Sequence, residues 1–388
     1  MKFKKLKDNF YVFLQIIFLL SFLIAGGAMI FKGDTPIPSL ELELLKKSLS
    51  SKERDVEAKY YIKLPNNMVQ CQLCFRRCTI PDGGRGYCTN RINKKGTLYT
   101  LVYGRVTAQI DPVEKEPLLH FLPGTFTLCF GTAGCNFKCS FCHNWHLSTR
   151  TQDELKLPYL SPEEAVSKAR GYGCSSISFT YNEPTTFYEW VYDVSRLAKK
   201  HGLRVYLHTN GAINQEPLKE ILKYLDAVCV DLKGFTSEFY RETSFSDLEP
   251  VLSTLKTIKK SGVWFEITCL IIPTLNDNLD KIREMCIWIR DNLGKEVPVH
   301  FTRFFPAYKL NRLPPTPIET LEKARNIAME VGLEYVTIGN VPGHVANSTF
   351  CPKCKKVVIK RIHFQVLENN IKGGKCKFCN HRIPGVWE

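Results

Sequence analysis

The sequence lacks internal repeats and low-complexity tracts, which leaves an ordinary globular chain. Its 388 residues, 44% hydrophobic and 23% charged, allow one large or two to three smaller domains with a real core. Acid is in short supply: 38 Asp and Glu stand against 53 Lys and Arg, a formal net charge of +15. Such an excess suits a polyanionic partner. The bases are scattered, however, with a local excess only toward residue 388, and they are not interleaved with aromatics. A nucleic-acid module is therefore the least favoured class, and no nucleic-acid partner is expected. A basic solvated face is the simpler reading, and metal-bound thiolates would remove roughly five of the formal charges.

Charge is wholly missing from Tyr11 to Phe31, YVFLQIIFLLSFLIAGGAMIF, where Gln15 is the strongly polar side chain. About twenty-one residues at 1.5 Å each make about 30 Å of helix, enough to cross a bilayer. The segment has no polar face, which argues against a buried soluble helix, and no cysteine to take a lipid. Lys2, Lys4, Lys5 and Lys7 precede it, and only Lys32 follows closely. The expectation is an uncleaved single-pass anchor in residues 1–32, with its N-terminus in the cytoplasm and the rest outside. A cleaved signal peptide ending near Gly26-Gly27-Ala28 is the rival. Residues 33–67 read as a polar linker with a short amphipathic helix near Leu40 to Leu49.

Cysteine is what the sequence has in quantity, 16 in all, unevenly placed. Cys71, Cys74, Cys78 and Cys88 form one group. Cys135, Cys139 and Cys142 form a second, and Cys351, Cys354, Cys376 and Cys379 a third. Cys129, Cys174, Cys229, Cys269 and Cys286 stand alone, mostly in apolar runs such as AVCVDL and EITCLI, and read as small core residues. Tight C-x-x-C pairs in a chain this long favour metal over disulfide.

From residue 125 the chain alternates between strand and helix patterns. TFTLCF, SSISFTY, LRVYLHT, AVCVDLK, VWFEITCLI, VHFTRF and YVTIG read as strands. SPEEAVSKAR, PTTFYEWVYDVSRLAKKHG, PLKEILKYL, LEPVLSTLKTIKKSG, LDKIREMCIWIRDNLG and IETLEKARNIAMEVG read as helices. Ser161 with Glu164 is a capping-box pattern with Pro162 at the first position, and Gly202, Gly262, Gly294 and Gly332 are stops. Repeated βα units imply a parallel sheet. Six or seven are too few for a complete eight-fold barrel, so periodicity allows a partial barrel or a doubly wound sheet. In either, chemistry collects at the C-terminal ends of the strands. The unusual residues fall there: the three cysteines, Asn182-Glu183-Pro184, His208-Thr209-Asn210-Gly211, Asp231-Leu232-Lys233-Gly234, Pro273 to Asp277, and Arg303 to Pro306.

Three thiolates on one tight loop can bind three corners of a [4Fe–4S] cubane, leaving one iron without a protein ligand and open to substrate. Zinc would take a fourth ligand, for which His143 or His146 is in reach of the loop. C-x3-C-x2-C with aromatic Phe141 before the last cysteine, ahead of a βα array, resembles the radical S-adenosylmethionine (SAM) superfamily.

The likeness is closer still to the radical SAM component of the AmmeMemoRadiSam system, itself similar to pyruvate formate-lyase and other glycyl-radical-enzyme activating enzymes. CQLCFRRC…GYC, LVYGRVTAQIDPVEKEPLLHFLPG, GCNFKCSFCHNW, FTYNEPTTFYEW, LHTNG, VDLKG, IPTLND and VPGHVANSTFCPKC…CKFCNHRIPGVWE carry it, over roughly four-fifths of the chain. His143 departs from the Gln that is common in that family and matches the CHN ending of activating enzymes. The resemblance implies a partial (β/α)6-type barrel of the radical SAM kind. It implies a [4Fe–4S] cluster on Cys135, Cys139 and Cys142, with SAM on the open iron, cleaved reductively to a 5′-deoxyadenosyl radical that abstracts hydrogen. It places Phe141 beside the adenine and Asn182 and Glu183 at the SAM amino group. Thr209, Asn210, Asp231 and Lys233 fall near its carboxylate or ribose, and His300 and Arg303 are candidates to face the substrate. Implied partners are Memo-like and AMMECR-like proteins and an electron donor such as ferredoxin or flavodoxin.

Cys351, Cys354, Cys376 and Cys379 form two knuckles around the strand-like VVIKRIHFQV, the pattern of a structural zinc ribbon. A rubredoxin-like iron site is the alternative. Cys71, Cys74, Cys78 and Cys88 suit zinc or a second iron–sulfur cluster, with zinc preferred. The expected order is an anchor or signal segment 1–32, linker 33–67, Cys-rich module 68–123, radical SAM core 124–345 and zinc ribbon 346–388. An electron-transfer or scaffold protein that never cleaves SAM is the competing reading. The polar residues after the second to fourth strands favour an enzyme, because an electron carrier needs no cofactor clamp. A membrane-associated protein is expected, its side in conflict: the charge rule says outside, whereas clusters, SAM and reductant are cytoplasmic supplies.

Overall fold

The computed structural model describes residues 56–388. The expected anchor in residues 1–32 lies outside the described residues, as does most of the linker 33–67. Among the described residues no helix is long and apolar enough to cross a membrane. That corrects the expected membrane-associated, single-pass localisation for the described chain.

Eight strands make the central sheet: β1 (Thr107–Pro112), β2 (Phe126–Gly131), β3 (Ser176–Phe179), β4 (Arg204–Thr209), β5 (Ala227–Asp231), β6 (Trp264–Ile271), β7 (Val299–Arg303) and β8 (Val336–Gly339). Each strand pairs with its neighbour in sequence, β1 and β8 being the two edges. β2 to β8 run parallel, while β1 lies antiparallel to β2 with Ala108 opposite Phe130. Helices α1 (Pro162–Gly171), α2 (Tyr188–Lys200), α3 (Gln215–Leu222), α4 (Leu248–Ser261), α5 (Leu279–Leu293) and α6 (Ile318–Val331) connect the parallel strands. Ser161 and Glu164 form the expected capping box, and Gly262 and Gly332 end α4 and α6 in left-handed geometry.

The strands read as continuous apolar runs because both faces of the sheet are covered. Leu128, Phe130, Ile177, Phe179, Val228 and Val230 on one face join the main core with the helices. The alternate residues Tyr206, Ala227 and Cys229 pack against Val113, Leu118, Phe121 and Leu122 in the β1–β2 connection. That connection, residues 113–125, is a plug under the inner face.

Two boundaries differ from expectation. β1 belongs to the central sheet, not to a separate module 68–123. TAQIDP reads poorly as a strand because three of its six residues are exposed at the edge and Pro112 ends it. Val56–Glu57 and Tyr61–Lys63, within the supposed linker, pair with Thr97–Thr100 and Val69–Cys71. Residues 56–388 lie in one compact unit, so the cysteine-rich segments are built onto the sheet.

Candidate metal and cofactor centre

The three clustered cysteines occupy the loop leaving β2, at the C-terminal end of the parallel strands. Cys135 and Cys139 are buried and Cys142 half-buried. Gly134 sets the loop at φ +74°, and a Cβ there would collide with the Cys88 carbonyl oxygen, so the approach of the two cysteine segments requires glycine. Backbone bonds hold the loop in place: Gly134 N–H to Leu147 O at 3.0 Å, Lys138 N–H to Ser244 O at 3.2 Å and Ser140 N–H to Thr243 O at 2.9 Å. Burial pushes the Cys139 thiol up to about 11 and the Cys135 thiol well above its ordinary value. Buried thiols of this kind release their protons to a metal rather than to water.

The ends of β3, β4 and β5 close around that loop. Asn182 donates from Nδ2 to Gly134 O at 2.7 Å and accepts from Thr132 N–H at 3.1 Å, bracing the loop from β3. Glu183 is fully buried, and its carboxylate accepts from Thr185 N–H and Oγ1, Thr209 Oγ1 and Asn210 N–H at 2.6–2.9 Å. Burial raises the Glu183 pKa even against those four bonds. Asn210 Nδ2 donates to Asn136 Oδ1 at 2.8 Å, next to Cys135.

From β5, Lys233 Nζ pairs with Asp231 at 2.7 Å and stands 5.8 Å from the centre of the Phe141 ring. Burial opposes charge on both, and each partner's charge outweighs it: the Asp231 carboxyl is held far below, and the Lys233 ammonium far above, their ordinary values. Phe141 stacks on Phe239 at 6.1 Å.

Every candidate of the cluster and SAM set therefore meets at one end of four adjacent strands. His300 does not. It is buried lower in β7, bonded to Glu266 at 2.8 Å and Thr337 at 2.7 Å, which makes it a brace between strands and corrects its candidacy as a substrate-facing residue. Arg303 donates from Nε to Thr316 O at 2.8 Å and lies over Phe305. Sequence reasoning missed a line of charge below the site: His208 bridges Glu116 at 3.3 Å and Asp231 at 3.1 Å. Burial opposes its charge, and Cys229 and Asp231 beside it raise its pKa well above 6.5. VEKEP marks Glu116 as charged but does not indicate its partner. Cys174, Cys269 and Cys286 sit in the main core as expected. Cys129 instead faces Asp111 and Glu116, the three ligand atoms lying within 4.8 Å of one another.

The four thiols of Cys351, Cys354, Cys376 and Cys379 also converge within 4.8 Å, with Cys351–Cys379 at 3.6 Å and Cys354–Cys376 at 3.7 Å. The two knuckles repeat each other: Lys355 and Asn380, each four residues after the first cysteine of its pair, both have φ +59°. No group of this kind among the described residues joins Cys135, Cys139 and Cys142 to His143 or His146, so a four-ligand zinc site is not drawn together there. Three thiols and no fourth ligand is a donor set that fits a cubane with one open iron.

Comparison with known proteins defines the class. Residues 130–286 match the Radical SAM superfamily and make up a radical SAM domain. The chain is an enzyme that uses an iron–sulfur cluster to cleave SAM reductively. More narrowly, it is 46% identical over 333 residues to the uncharacterized protein MJ0808 of Methanocaldococcus jannaschii, spanning 85% of this chain and 99% of that one. It is 27% identical over 216 residues to the pyruvate formate-lyase-activating enzyme of Clostridium pasteurianum, spanning 53% of this chain and 88% of that one.

Proposed function

We propose that Cys135, Cys139 and Cys142 hold the [4Fe–4S] cluster, and that Phe141, Asn182, Glu183, Thr209, Asn210, Asp231 and Lys233 form the SAM side of the site. The carrying observation is the cross-bracing of four strand ends around a loop of three thiols. When bound, the cluster delivers the electron that breaks a carbon–sulfur bond of SAM, giving a 5′-deoxyadenosyl radical that takes hydrogen from substrate. Lys233, fixed by Asp231 beside Phe141, offers a cation to the SAM carboxylate. Glu183 already accepts four bonds from the chain, so it acts chiefly as a positioning residue that orients Thr209 and the Asn210 N–H. Asn182 fixes the carbonyl just before Cys135.

Zinc fits the third cysteine group, since Zn–S bonds of ~2.3 Å in a tetrahedron put sulfurs ~3.8 Å apart. The Lys356 N–H beside Cys354 pulls that thiol down to about 7, which eases the formation of a bound thiolate. The motifs from CQLCFRRC to IPGVWE support the AmmeMemoRadiSam assignment, with Memo-like and AMMECR-like proteins as functional partners and ferredoxin or flavodoxin as reductant. Likeness to a pyruvate formate-lyase-activating enzyme supports a protein as hydrogen donor.

The test is anaerobic reconstitution with iron and sulfide, addition of SAM and dithionite, and quantification of 5′-deoxyadenosine. Product in the parent and none in Cys142→Ala is expected. An intact cluster that binds SAM and yields no product, even with candidate partners added, would favour the electron-transfer reading.

A further inference from the structure

Cys71, Cys74, Cys78 and Cys88 line a single small pocket. Leu73 and Ile80 supply its apolar wall, and Asn136, Thr185 and Thr186 close the side toward the first cluster. Those three residues neighbour Cys135 and Glu183, so this cavity and the SAM site share a wall. Cys88 touches the loop directly, through its carbonyl against Gly134.

The two four-cysteine groups differ in geometry. Sulfurs on one zinc stand ~3.8 Å apart, as in the 351–379 group. Among the described residues, the Cys71 group is not one whose ligand atoms converge within 4.8 Å. Its thiols surround a space instead. A cubane places its thiolates apart, at the corners of an eight-atom core. Donors aimed at the sulfurs suit such a core: Tyr87 N–H reaches Cys78 Sγ at 3.5 Å and Arg91 Nη1 reaches Cys71 Sγ at 3.7 Å. Arg91 is a buried cation, held there by Glu189, and offsets thiolate charge. Such N–H···S contacts and buried charge are the levers that set a cluster's potential.

We propose that Cys71, Cys74, Cys78 and Cys88 hold a second [4Fe–4S] cluster, which passes electrons to the SAM-cleaving one. With four protein ligands it has no iron open to SAM. It takes one electron from a reduced low-potential carrier protein and gives one to the first cluster, with no atom transferred. The relay role rests on placing the first cluster at Cys135, Cys139 and Cys142.

The test uses the full chain reconstituted anaerobically with iron and sulfide, with metal analysis and electron paramagnetic resonance of the reduced protein. Two cubanes give roughly eight irons per chain, and each set of cysteine substitutions removes roughly four. A Cys135→Ala, Cys139→Ala, Cys142→Ala variant leaves the site in question untouched and should keep its four irons with a signal that SAM does not alter. Cys74→Ser with Cys88→Ser should keep the SAM-responsive signal. That variant should cleave SAM at near-parental rate with dithionite and at least tenfold more slowly with reduced flavodoxin. If it fails to fold, the triple variant alone decides the metal. A triple variant holding two zincs and no iron overturns the second cluster. An unchanged flavodoxin-driven rate overturns the relay. A triple variant whose signal still responds to SAM would overturn the placement of the first cluster instead.

Discussion

Glu183 and Lys233 stand at the ends of different strands, and burial gives them different tasks. Glu183→Ala would leave the Thr209 hydroxyl and the Asn210 and Thr185 N–H groups without acceptors, at about 1–3 kcal/mol for each buried group. Urea unfolding should show a loss of several kcal/mol, with iron loading reduced as the loop loses its brace. Lys233→Met should leave iron loading intact and weaken SAM binding roughly tenfold, about 1.4 kcal/mol, read by equilibrium dialysis. An affinity unchanged in Lys233→Met would remove Lys233 from the cofactor side. Breaking the buried Arg91–Glu189 pair by Arg91→Met should cost about 3–5 kcal/mol, because a carboxylate is left uncompensated. At this scale the cysteines were legible because their spacing is local. The Glu116–His208 contact was not, because its partners lie 92 residues apart and no local pattern couples them.

Among the elements, the seven parallel strands and six connecting helices were readable from period and caps, since local and global preferences agree in them. β1 and the plug were not, because an edge strand and an irregular segment carry no period. The plug is secured by Glu266 of β6, which accepts the N–H groups of Leu119 and His120 at 2.8 Å. His120 Nδ1 lies 2.8 Å from Pro384 O and must carry the proton to donate there. Burial pushes the His120 imidazole down to about 4. An unfolded chain takes up a second ring proton below about pH 6.5, whereas the folded chain does so only near pH 4. Stability is therefore full above pH 6.5 and declines toward pH 4, by about 3 kcal/mol from this group. Glu266 adds a separate loss below about pH 4.5: burial would raise its pKa, but the His300 contact lowers it from the ordinary value of 4.5. Urea midpoints at pH 7 and 4.5 check this, and His120→Gln should narrow the difference between them.

Across the whole molecule, the third cysteine group and the plug are joined. Arg361, from the ribbon, donates to Leu119 O at 2.6 Å and faces buried Glu114. Val386 N–H reaches His120 O, and Leu122 N–H reaches Val386 O, each at 2.8 Å. On the proposed zinc occupancy of the third cysteine group, chelation should therefore do more than loosen that segment. It should lower the melting temperature by several degrees and expose the plug to proteolysis, whereas a thermal midpoint indifferent to chelation would show that the ribbon folds without metal.

A plug held by β6, a ribbon arginine and Val386 also closes one end of the inner face. If SAM binds at the strand ends where the three cysteines sit, as proposed, SAM and the hydrogen donor approach from that end. With SAM on the cluster and a bulky donor outside it, SAM would bind first, and methionine and 5′-deoxyadenosine would leave after the processed donor. Initial-rate measurements should then show compulsory order, with 5′-deoxyadenosine competitive against SAM and the processed donor a mixed inhibitor against both substrates.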